Sequence, residues 1–87
     1  MSQQDLLTAL DRIRDGGFRP GRDLEAAHSI CQSHEGEAMF DWIHALVHRI
    51  EGDDGNAAYW YRRAGRTRSA RPVDGEWQDI RAAAEAG

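Results

Sequence analysis

Residues 37–51 read EAMFDWIHALVHRIE, and this stretch decides the fold. On a helical wheel at about 100° per residue, its apolar side chains cover an arc of about 160°. The apolar stripe of a helix on a protein surface is narrower, at about 100°. We therefore predict that this segment is the central helix of a helical bundle. Its apolar residues are Met39, Phe40, Trp42, Ile43, Leu46, Val47 and Ile50.

Apolar residues also recur at helical spacing on either side of this segment. Residues 6–13 carry such a stripe, which ends at Gly16-Gly17 in a way typical of a left-handed helix end. We predict a second helix that begins at Asp23, a fourth at about residues 56–66 and a fifth that begins at Asp74. No segment alternates with the period of two that a β-strand requires. The sequence therefore predicts an all-α, compact bundle of about five short helices.

Length and composition limit the class of protein. The chain has 87 residues, enough for one domain but too few for two cores, so we place residues 1–87 in a single helical domain. No apolar run approaches the about 18 residues of a membrane span, and no signal-peptide pattern opens the chain. Cys31 is the only cysteine. We therefore expect no internal disulfide, a core position for Cys31, a cytoplasmic location and no membrane partner.

A polar arc of about 80° accompanies the apolar arc of the central helix. Its members follow one another at spacings of four, three, four and three residues. Stripes of charged residues are usually faces in contact with solvent, and the alternative is a polar groove that binds a partner. The stripe consists of Glu37, Asp41, His44, His48 and Glu51.

A divalent metal site is a sharper interpretation of the same stripe. Two histidines at positions i and i+4 can bind one ion from a helix face, with a carboxylate as a further ligand. No Cys-x-x-Cys or His-Glu-x-x-His motif accompanies the pair, and no catalytic residue is indicated, so the sequence favours a protein without enzymatic activity. The candidate ligands are Asp41, His44, His48 and Glu51, to which His28 or His34 of the preceding helix could add another.

The basic residues are concentrated in one segment. Residues 62–73 hold five arginines and no acidic residue, although the net charge of the chain is −4. Local pairing with acidic groups is the simpler interpretation, and arginines also complement a helix C-terminus. RNA or phosphate binding is the alternative, and the acidic net charge makes nucleic acid the less favoured partner. The arginines are Arg62, Arg63, Arg66, Arg68 and Arg71.

Three consecutive aromatic residues occur in the predicted fourth helix. Tyr59, Trp60 and Tyr61 span about 200° of a helical wheel, so they cannot share one face. We expect Trp60 and Tyr61 in the core, and Tyr59 either exposed or covered by a partner. An exposed aromatic residue on a small domain is compatible with a homodimer.

Residues 38–66, AMFDWIHALVHRIEGDDGNAAYWYRRAGR, resemble one helical hairpin of the tetratricopeptide type or of its Sel-like relative. The resemblance rests on the turn at Gly52-Asp53, followed by Ala57, Tyr61 and Ala64 at the small–aromatic–small spacing of the second helix. Within it, residues 51–65 are similar to a group of small bacterial proteins, a similarity that implies no activity.

The chain departs from the repeat pattern at the polar stripe. His44 and His48 stand where leucine and tyrosine are expected in such repeats, and Pro72 follows three residues after the position of the usual closing proline. In these families the first helix of each pair lines the surface that binds partner peptides. The resemblance therefore implies a protein-interaction module with a protein or peptide partner. The expected contact residues are Glu37, Asp41, His44, His48, Glu51, Tyr59, Arg62, Arg63 and Arg66.

Overall fold

The computed structural model describes residues 2–86, and five α-helices run through this part of the chain. No β-strand occurs among these residues, so the prediction of an all-α protein is confirmed. Within the same range, none of the helices has the length and apolar character needed to cross a membrane. The helices are α1 (Ser2–Asp15), α2 (Arg22–Gln32), α3 (Ala38–Glu51), α4 (Asp54–Arg63) and α5 (Val73–Ala86).

Helix α3 lies at the centre of the bundle and contacts each of the other four helices. Residues 40–48 are buried without interruption, although this segment includes Asp41, His44 and His48. A helix that is buried on all sides is expected to be apolar on most of them, which agrees with the wide apolar arc in the sequence. Gly52 ends the helix at a φ of 80°, a left-handed conformation that glycine adopts without a Cβ penalty.

Four helix boundaries differ from their predicted positions. The Asp53 carboxylate accepts a hydrogen bond from the backbone N–H of Asn56 at 3.3 Å, so α4 begins at residue 54 rather than at about 56. It ends at residue 63, before Gly65 with a φ of 73°. Asp23 and Asp74 lie inside the first turns of α2 and α5 rather than at the caps. There their charges complement the helix dipole.

Helices α1 and α5 complete the bundle, and they pack against each other and against α3. The Trp77 indole N–H donates a hydrogen bond of 2.8 Å to the backbone carbonyl of Leu10. Phe18 packs edge-on against the Trp77 ring, with 5.9 Å between the ring centroids. Cys31 of α2 is fully buried in the common core, as predicted.

A buried carboxylate connects α3, α4 and α5. Glu76 of α5 is 1% exposed and accepts hydrogen bonds from the Trp42 indole at 3.0 Å and from Arg49 at 2.7 Å. The Tyr61 hydroxyl lies 2.8 Å from both Glu76 oxygens. Burial and this hydrogen bond raise the pKa of Tyr61, so its hydroxyl remains a donor. Every polar atom of the network has a partner, as a buried polar network requires.

Candidate metal centre

Three histidines from two helices converge where α2 packs on α3. His28 of α2 faces His44 and His48 of α3, and one potential ligand atom of each lies within 4.8 Å of the others. The Nε2 atoms of His28 and His44 are 2.9 Å apart. Nitrogen ligands at 2.0–2.1 Å from a tetrahedral zinc ion are about 3.3 Å from one another. Side-chain shifts of about 1 Å would therefore place all three imidazoles on one ion.

Helix geometry explains why these side chains meet. His44 and His48 are four residues apart, so they lie on the same face of α3. Residues 33–37 form a short connection that brings α2 back against that face, with Gly36 at a φ of 96°. His28 lies four residues after Leu24 and three before Cys31, both of which are buried. The buried stripe of α2 therefore passes through His28 and points it at α3.

A carboxylate orients one of the three rings. The Nδ1 atom of His48 is 3.1 Å from an Oε atom of Glu51. If Nδ1 carries the proton of the neutral ring, Nε2 has the lone pair with which the ring can bind a metal ion. Metal-binding histidines commonly donate their second ring N–H to a carboxylate in this way. Glu51 thus contacts a candidate ligand rather than joining the cluster itself.

The environment favours the neutral form of two of the imidazoles, those of His28 and His44. Burial lowers the pKa of His44 to about 3, and the neighbouring His28 and His48 contribute in the same direction. Burial is also the main cause of a lowered pKa at His28, where Glu51 and Glu35 act in the opposite direction. A neutral imidazole is the form that binds a metal ion, so no proton has to be removed from His28 or His44 at neutral pH.

The other members of the predicted stripe have different environments. Asp41 is 1% exposed and lies outside the histidine cluster, with its Oδ1 atom accepting the Gly36 backbone N–H at 3.2 Å. Glu37 is exposed and binds His34, whose other ring nitrogen is 2.9 Å from Asp5. These two hydrogen bonds raise the pKa of His34. Of the two additional histidines considered from the sequence, the structure therefore adds His28 to the cluster and not His34.

The polar stripe is not an open groove. His44 and His48 are 2% and 9% exposed, because α2 covers the middle of the stripe and α4 covers its side. The Trp60 ring of α4 stacks on His44, with 3.9 Å between the centroids. Trp60 and Tyr61 are buried and Tyr59 is 42% exposed, as predicted. A partner could reach only the ends of the stripe and the outer face of α4 in this conformation.

The arginines of residues 62–73 are directed to different neighbours. Arg68 and Arg71 form ion pairs with aspartates of α4 and α5. Arg63 donates to the hydroxyl of a tyrosine in its own helix. Arg66 lies over an indole ring of α3 at 3.5 Å from the centroid, a cation–π contact. Arg62 has no ion pair within residues 2–86, so most of the cluster is used inside the protein, which favours the local-pairing interpretation.

A comparison with protein-family models, with curated proteins and with solved structures finds no significant match. The resemblance of residues 38–66 to a tetratricopeptide or Sel-like hairpin therefore stays a prediction. Function has to be inferred from the chemistry of the chain itself, and the histidine cluster is the feature with the most specific chemistry.

Proposed function

We propose that this protein binds a divalent transition-metal ion through the imidazoles of His28, His44 and His48. The observation that supports this proposal is the convergence of three largely buried imidazoles from two helices. Imidazole nitrogen suits zinc, copper and nickel, whereas calcium and magnesium take oxygen ligands. Zinc is the first candidate, because three histidines form one of its common ligand sets.

The location of the site suggests what the bound ion does for the fold. An ion held by His28 on one side and by His44 and His48 on the other would cross-link α2 to the central helix. An ion that binds only the folded chain stabilises it by about 2.7 kcal/mol when its free concentration is 100 times the Kd. Three protein ligands also leave the fourth zinc position for water or another small ligand.

Direct metal analysis tests the proposal. Untagged protein is purified, its metal content is measured by elemental analysis, and the protein treated with chelator is titrated with zinc by calorimetry. We expect one zinc ion per chain and a loss of binding in His28→Ala. His34→Ala is the matched control, because it removes a neighbouring histidine outside the cluster and should bind zinc like the wild type. Zinc binding that is absent, or equal in His28→Ala and wild type, would refute the proposal.

Binding of an acidic peptide is a second candidate, and a cavity beside α4 supports it. The cavity has a volume of about 270 Å³, and its lining includes Ala58, Tyr61, Arg62 and Arg66. Neither Arg62 nor Arg66 forms an ion pair within residues 2–86, and both are exposed. Apolar and cationic groups side by side fit a short segment with both apolar and acidic residues. Arg62 and Arg66 belong to the predicted interaction surface and remain accessible.

Charge reversal tests the peptide proposal. A fluorescent acidic peptide is titrated with wild-type protein and with Arg62→Glu, and binding is followed by anisotropy. Arg22→Glu makes the same charge change on an exposed arginine at the start of α2, and it is the matched control. We expect weaker binding in Arg62→Glu alone. Equal loss in both variants would show a general charge effect, and this surface would then be rejected.

A further inference from the structure

Two buried side-chain atoms of α3 have no hydrogen-bond partner in the structure. They are the Oδ2 atom of Asp41 and the Nδ1 atom of His44. A buried polar atom without a partner costs about 1–3 kcal/mol, so native proteins retain few of them without a reason. One of these atoms is a hydrogen-bond acceptor, and the other is a ring nitrogen that becomes a donor when it carries a proton.

The two residues are neighbours on α3, and both are almost completely buried. They are three residues apart on one face of α3. On the α2 side, His44 contacts His28. Cys31 lies one turn after His28, and burial raises its pKa, with a smaller contribution from the negative charge of Asp41. On the α4 side, the Trp60 ring stacks on His44.

On the α4 side, Arg63 lies near the aromatic ring that stacks on His44. Its guanidinium lies 5.3 Å from the centroid of the Trp60 ring that stacks on His44. The hydrogen bond to Tyr59 is the main cause of the raised pKa of Arg63, and the negative charge of Asp41 contributes. The two unpartnered atoms belong to buried side chains that are neighbours on one face of α3.

Metal binding fixes which nitrogen of His44 carries the proton. Without an ion, the 2.9 Å contact between the Nε2 atoms of His28 and His44 requires a proton on one of them. A metal ion bound by both Nε2 lone pairs displaces that proton, and each neutral ring then carries its proton on Nδ1. Nδ1–H of His44 becomes a buried donor, and a buried donor needs an acceptor.

The other end of the stripe shows how such a donor is satisfied. Nδ1 of His48 contacts the carboxylate of Glu51, three residues away on the same helix. Asp41 is also three residues from its histidine, but it precedes His44 in the chain. Its Oδ2 atom has no partner and can accept a hydrogen bond. Carboxylates that hold a ligating histidine in this way fix the ring orientation and increase its basicity.

We infer that Asp41 accepts a hydrogen bond from Nδ1–H of His44 when the metal ion is bound, and that this positioning residue increases the affinity of the site. The inference rests on the proposed metal-binding function. Asp41 is a positioning residue and not a ligand, because it acts on the ion through His44. Its other oxygen continues to accept the Gly36 backbone N–H.

Asp41→Asn is the variant that isolates this role. The asparagine carbonyl can keep the hydrogen bond from Gly36, whereas its NH₂ group presents a donor toward Nδ1–H of His44. We expect zinc affinity to fall about 10–100-fold by calorimetry, the range found when such partners are removed. Urea unfolding without metal should change much less than zinc affinity does. Glu35→Gln is the control, because it removes a negative charge near His28 without removing a hydrogen bond to the cluster.

A measurement on the wild type keeps the inference testable if Asp41→Asn does not fold. In the zinc-loaded protein, proton–nitrogen correlation spectra should show a proton on Nδ1 of His44 that exchanges slowly and resonates downfield. A His44 ring protonated on Nε2 would overturn the inference, and so would wild-type zinc affinity in a folded Asp41→Asn. Either result would leave the metal-binding proposal intact if the wild type binds zinc. A wild type without zinc affinity would refute both.

Discussion

Replacement of Glu76 by glutamine tests whether the buried carboxylate holds the three central helices together. The side chain keeps its size but loses its charge, and one acceptor oxygen becomes a donor NH₂ group. Glu76 is surrounded by donors only, namely the Trp42 indole, Arg49 and the Tyr61 hydroxyl. The new NH₂ group must therefore face a donor in either orientation of the amide, and Arg49 is left without its buried counter-ion.

The expected cost follows from these contacts. Removal of one partner from a buried ion pair typically costs about 3–5 kcal/mol. A chain of 87 residues is expected to have a total free energy of unfolding of about 4–13 kcal/mol. Glu76→Gln should therefore remove about a third or more of the total stability. With a urea slope of about 1–3 kcal/mol per molar, the midpoint of unfolding should fall by about 2 M.

Two further variants serve as references in the same urea titration, followed by tryptophan fluorescence and by circular dichroism. Glu85→Gln changes an exposed glutamate of α5 that pairs with Arg81, and it should cost less than about 0.5 kcal/mol. Tyr61→Phe removes one donor and should cost about 1 kcal/mol. A cost below about 1 kcal/mol for Glu76→Gln, with an unchanged urea slope, would refute the reasoning.

Three other predictions concern the histidines and the turn after α3. Without metal, the free energy of unfolding should fall as the pH drops from 6.5 toward 4, by up to about 1.4 kcal/mol per pH unit. In this range His44 gains a proton in the unfolded chain, whereas the folded ring, with a pKa of about 3, stays neutral. His34 has the opposite sign, since its raised pKa contributes stability that is complete below about pH 6.5 and declines as the pH rises above that value. His34→Gln should therefore cost more stability at pH 6 than at pH 8, and urea titrations between pH 5 and pH 8 check both predictions. Excess zinc should raise the Tm of the wild type but not of His28→Ala in a thermal-shift assay, and equal shifts would point to binding elsewhere. Gly52→Ala should cost about 1–2 kcal/mol at its φ of 80°, whereas Gly55→Ala, at an ordinary φ with open space around it, should be neutral or stabilising in urea titrations.

Periodicity predicts the parts of this fold that depend on a single helix. The wide apolar arc identified α3 as the central helix, and the spacing of Tyr59, Trp60 and Tyr61 identified which of them is exposed. The start of α4 differs from its predicted position because Asp53 caps the helix through a local hydrogen bond from the backbone N–H of Asn56. Periodicity contains no information on that geometry.

The features that the sequence did not predict depend on how helices pack together. Asp74, Glu76 and Asp79 are all acids of α5, and only the contacts with α3 and α4 distinguish the one that is buried. His28 was one of two options for the cluster. Its position between Leu24 and Cys31 on the buried stripe of α2 is the signal that could have selected it.

The stacking of Trp60 on His44 gives the protein an optical reporter of its own site. Of the three tryptophans, Trp60 is the one whose ring stacks on a candidate ligand, at 3.9 Å between centroids. Paramagnetic ions such as Cu²⁺ quench indole emission at short range, so occupancy should be readable without a label. In a variant with the substitutions Trp42→Phe and Trp77→Phe, Trp60 is the only indole. Its emission intensity, followed during a titration with Cu²⁺, would then report the occupancy of the site.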